Sequence, residues 1–145
     1  MIFVDESIHS NLDLICVSFV YSPDDPGSEI DRALKHAGLE PGLDEYKSGV
    51  QMSGKPHLHA LRESIGDIAL GCQFAVYVAP LSELSSLQTS VVKIALEIIQ
   101  ANALPTPQHL FIDEGMVGGY SADATRLIVH HGCDSKQVLG VSLGD

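Results

Sequence analysis

Short apolar runs that alternate with amphipathic stretches set the tightest limit on what this chain can fold into. Residues 2–4, Ile-Phe-Val, are too few for a helix and predict a buried strand. Residues 13–21 are rich in β-branched and aromatic side chains and predict a second strand, with a turn over 7–11 between the two. Together they make an opening hairpin. After a Pro- and Gly-containing loop, Ser28 reads as an N-cap for a helix with apolar positions Ile30, Ala33, Leu34 and Ala37, and Gly38 as its stop. Residues 38–56 hold four Gly and two Pro and predict a long irregular segment.

A helix is then expected over 57–69, with Leu58, Leu61, Ile65 and Ile68 on one side, and a third strand over 72–79. The strongest helical pattern covers 87–103, with Val91, Ile94, Ala95, Ile98 and Ile99 in register. A fourth strand over 109–112 runs into Asp113-Glu114. Beyond it the pattern predicts a helix capped by Ser121 and running to about His130, with Leu127 and Ile128 inward. A short last strand within 132–135 and a final helix over 137–145 follow. Strands separated by helices after an opening hairpin imply an α/β fold, a mixed sheet flanked by helices, in a single domain over 1–145.

A chain of 145 residues, 45% hydrophobic and 19% charged, can bury one ordinary core. It has no apolar run long enough to span a membrane. The start has no basic n-region and reaches Asp5 at once, so a cytoplasmic location is expected. Cys16, Cys72 and Cys133 are widely spaced, in no zinc or disulfide pattern, and read as reduced core thiols. The eight Lys and Arg stand against 19 Asp and Glu, a net charge of −11. Such a chain repels phosphate backbones unless cations intervene, which argues against a plain nucleic-acid-binding module and less against a metal-dependent enzyme.

Two predicted strands end alike, Phe-Val-Asp5-Glu6 and Phe-Ile-Asp113-Glu114. Functional sites in α/β sheets gather at the carboxyl ends of strands. If the first and fourth strands are adjacent and parallel, Asp5 and Asp113 stand side by side. Two close carboxylates repel each other, and a divalent cation relieves that repulsion. Mg²⁺ or Mn²⁺ suits oxygen donors on rigid strands. Glu45-x-Lys47 offers a further acid and a cation that can hold phosphate. Asp145 ends an apolar-patterned run. His57-x-His59 and His130-His131 lack partners at zinc spacing and read as surface or helix-end histidines. No phosphate-binding loop, dinucleotide fingerprint or nucleophile elbow is present.

Val4-Asp5-Glu6-Ser7, Glu45-x-Lys47, Phe-Ile-Asp113 and the closing Val-Leu-Gly-Val-Ser-Leu-Gly-Asp145 occur in one order over nearly the whole chain. In this the chain resembles the domain-of-unknown-function 3800 family, whose members open with Asp-Glu-Ser-Gly. Here Ile8 stands in place of that Gly, and Gly144 in place of an Ala before the last acid. The resemblance implies a ribonuclease H-like fold, a mixed central sheet of about five strands with helices on both faces. It also implies an Mg²⁺ or Mn²⁺ site made by Asp5, Glu45, Asp113 and Asp145.

The expected activity is phosphodiester hydrolysis, with Glu6 or Glu114 orienting water and Lys47 binding phosphate. Nucleic acid or a nucleotide would be the partner, met through the metal. The alternatives are an inactive ribonuclease H-like interaction domain and a hydrolase of small phosphates. The helix over 87–103 is expected to lie mostly inside, with a homodimer face as the other use for it.

Overall fold

A computed structural model of the chain describes residues 1–44, 46–47, 52–113, 116, 124–131 and 141–142. The opening hairpin is formed by β1 (Ile2–His9) and β2 (Leu14–Tyr21), antiparallel from Ile2↔Tyr21 to His9↔Leu14. Strand β1 therefore runs well past the acidic pair expected to end it. The turn is a 3-10 segment, Ser10–Leu12, closed by Asp13 in the left-handed region (φ 54°), which Asp tolerates better than most residues. Helix α1 (Gly27–His36) begins one residue before the expected cap, and Asp25 Oδ1 accepts the Gly27 N–H at 2.8 Å. Gly38, at φ +77°, follows its end as predicted.

Next come β3 (Tyr46–Lys47), α2 (Pro56–Ala69), β4 (Gln73–Pro80), a 3-10 segment at Leu81–Ser86, and α3 (Leu87–Ala101). Pro56 opens α2 at the first helical position, where its missing N–H costs nothing. The chain closes with β5 (Gln108–Ile112), β6 (Leu127–His131) and β7 (Val141–Ser142). Five strands make one mixed sheet in the order β4-β2-β1-β5-β6. The pairs on the β4 side of β1 are antiparallel, and those on the β5 side are parallel. A second, two-stranded sheet pairs β3 with β7 in parallel, Tyr46↔Val141 and Lys47↔Ser142.

Three expectations fail. The helix predicted through His130 is a strand at 127–131, because the pattern there has period two rather than 3.6. Leu127 and Val129 pack into the core, while Ile128 and His130 point the other way. Within the segment expected to be irregular, Tyr46 and Lys47 form a strand. Within the expected final helix, Val141 and Ser142 are extended and paired to it. The strand expected within 132–135 lies outside the described residues.

The main core lies between one sheet face and α3. Ile2 and Val4 of β1, Ile15, Val17 and Phe19 of β2, Leu110 and Ile112 of β5 and Leu127 of β6 meet Leu87, Val91, Val92, Ala95 and Ile99 of α3. Ile94 and Ile98 pack against the same cluster, so α3 serves the core. A smaller cluster joins α1 to α2 through Ile30, Leu34, Leu58 and Leu61, with Tyr46 and Met52.

Candidate metal centre

Strands β1 and β5 set the geometry. They pair in parallel with Ile2↔Leu110, Phe3↔Phe111 and Val4↔Ile112. Asp5 and Asp113 are the residues that follow the last of these pairs. Asp5 lies within β1, and Asp113 follows directly on the end of β5. Both are partly buried. Each acid follows its Phe by two residues, and the two Phe residues are register partners.

An aromatic ladder supports the acids from one level below. Phe3 and Phe111 stack with centroids 5.1 Å apart, and Phe111 stacks on His130 at 4.7 Å. Phe3 and Phe111 are buried. The ladder thus ties β1, β5 and β6 together at three register-matched positions. His130 Nε2 also lies 2.8 Å from His109 Nδ1, so one ring donates to the other. The two ring planes are inclined by 14° with centroids 5.1 Å apart, and the ring radii plus the N···N distance account for that separation. These two imidazoles therefore meet edge to edge rather than face to face. On the far side of the sheet, Gln88 Nε2 donates to His131 Nδ1 at 3.0 Å. The His130-His131 pair is thereby split across the two faces of β6, each ring engaged in the fold.

Glu6 is placed apart from Asp5. Side chains alternate along a regular strand, and β1 holds unbroken register with β2 through His9. Asp5 shares the face of Phe3, while Glu6, opposite Val17, shares the core face covered by α3. Its Oε2 is shut off from solvent. Glu6 therefore lies on the sheet face opposite that of Asp5.

Of the remaining expected site residues, Glu45, Glu114 and Asp145 lie outside the described residues, and Lys47 is described by its backbone alone, in β3. Among the described residues no group of three or more His, Cys, Asp or Glu is arranged to hold a metal ion. The described part of the candidate centre is thus the pair Asp5 and Asp113, two oxygen donors of the kind a hard divalent cation prefers. Sequence reasoning missed the supporting ladder. Its signal was the Phe two residues before each acid, together with the His at alternate positions of the fourth and fifth strands of the main sheet. Comparison with protein-family models, curated proteins and solved structures finds no match to this chain.

Proposed function

We propose that this chain is a ribonuclease H-like, divalent-cation-dependent phosphodiester hydrolase of the kind its resemblance to the domain-of-unknown-function 3800 family implies. The observation that carries the reading is the parallel pairing of β1 with β5 as far as Val4↔Ile112, the residues directly before Asp5 and Asp113. The mixed five-stranded sheet with α3 packed on one face supports the fold part of it. So does the pairing of β3 with β7, which brings the backbone next to Glu45 alongside the segment leading to Asp145.

In this reading Asp5, Glu45, Asp113 and Asp145 would hold an Mg²⁺ or Mn²⁺ ion through their carboxylate oxygens. A bound divalent ion there supplies charge stabilisation to the phosphate and lowers the pKa of water. The chain's own residues do the rest. The stacked Phe3–Phe111–His130 ladder, with both Phe rings buried, would brace the strands that carry the two carboxylates. Glu114 orients the attacking water, and Lys47 holds a non-bridging phosphate oxygen. Glu6 is left out of the site because it faces α3.

The test is cleavage of labelled RNA and DNA with Mn²⁺. Wild type is expected to cleave at least one of them, and Asp113→Asn to lose more than about 100-fold, beyond the roughly 10–100-fold typical of an outer-shell change. Equal cleavage by both proteins would sink the reading. The net charge of −11 favours a second reading, hydrolysis of small phosphate esters rather than polynucleotides. Activity on nucleotides or phosphate monoesters with none on polymers would select it.

A further inference from the structure

Strand β4 is an edge of the main sheet, and among the described residues nothing pairs with its outer side. Its two faces differ sharply. Ala75, Tyr77 and Ala79 pack into the core, whereas Phe74, Val76 and Val78 are 61%, 68% and 57% exposed. Natural edge strands are protected by shortness, by charged side chains, by bulges or by proline. This one has eight residues, no charged residue, an unbroken register with β2 and a proline only at its last position.

We propose that β4 is a homodimer interface, at which it pairs antiparallel with β4 of a second copy about a two-fold axis and brings the two Phe74-Val76-Val78 rows side by side. The occupant follows from charge and symmetry. An antiparallel edge is its own complement under a two-fold rotation. A chain of net charge −11 repels its own copies over most of its surface, but neither β4 nor its neighbour β2 carries a charged residue. Two copies can therefore meet at this edge without placing like charges in contact. A basic partner drawn by the overall charge would find nothing to recognise there.

Area sets the strength. The three exposed side chains offer roughly 300 Å² of apolar surface per copy, the low end of the range for the largest patch on a typical monomer, which is often functional. A standard interface takes about 800 Å² per partner, so the dimer sits at the small, reversible end of the range even with the paired backbone added. Self-association should accordingly depend on concentration.

Sedimentation velocity of the full chain over a wide concentration series reads this directly. Wild type is expected to pass from monomer to dimer, and Val76→Lys to weaken association at least tenfold with its circular dichroism unchanged. If Val76→Lys fails to fold, Val78→Glu serves in its place. The β4 amides of wild type are expected to gain protection from hydrogen exchange as concentration rises. A wild type that stays monomeric throughout, a dimer that the folded variants leave intact, or β4 exchange independent of concentration would each overturn the proposal.

Discussion

Asp5 and Glu6 are chemically near twins and adjacent in sequence, yet the strand gives them opposite surroundings. Asp5 joins the row that continues the Phe3–Phe111–His130 ladder, and Glu6 turns towards α3. Their substitutions should separate accordingly: Glu6→Gln is expected to bind Mn²⁺ as tightly as wild type, as measured by calorimetry, where Asp5→Asn does not. The ladder itself can be tested at Phe111, which is buried between two ring partners. Phe111→Ala is expected to cost about 3–5 kcal/mol in denaturant unfolding, the usual range for a buried aromatic truncation. An unchanged midpoint would show that the ladder does not hold the strands. At this scale the sequence shows the two acids but not their separation, because a short apolar run closing on Asp5-Glu6 looks like a strand that ends there. Only the pairing of β1 with β2 as far as His9 reveals that the alternation continues.

At the scale of elements, β4 is held on its inner face by a specific contact. Tyr77 donates its phenol proton to Glu83 Oε2 at 2.8 Å, anchoring the 3-10 segment after the strand. This bond, with burial and the Glu83 charge, raises the phenol's pKa above its ordinary 10, a small opposing effect coming from Ser90. The folded state therefore favours the protonated ring. The stabilisation is complete below pH 10 and is lost as pH rises through the raised folded value. In a tyrosinate absorbance titration of the four Tyr residues, Tyr77 is expected to ionise late and Glu83→Gln to bring it down. A titration unaltered by Glu83→Gln would count against the bond.

The elements also show where the sequence was legible. The hairpin and the helices up to α3 could be read because each carries an unambiguous period and a clear stop such as Gly38. Strand β6 could not, because the adjacent Leu127 and Ile128 fit one face of a helix as well as they fit a strand. Only the ladder with β5 shows that they point to opposite sides. The β3–β7 pair was illegible for another reason: two residues carry no period, and their pairing spans most of the chain.

For the whole molecule, α3 backs one face of a mixed sheet whose β4 edge has no paired strand among the described residues. No helix among the described residues is long and apolar enough to cross a membrane. The order of the acids along the chain suggests a shared centre, and the parallel pairing of β1 with β5 through Val4↔Ile112 is compatible with one. The charge of −11 then weighs on what such a centre can accept, since a polyanion approaches only where cations offset the field.

The central claim is that Asp5 and Asp113 jointly hold a divalent cation. Electron paramagnetic resonance of free Mn²⁺, titrated into the full chain, measures it without assuming any substrate. Saturable binding by wild type that is lost in both Asp5→Asn and Asp113→Asn is the predicted result. Binding that survives either substitution, or no binding by wild type, would contradict it.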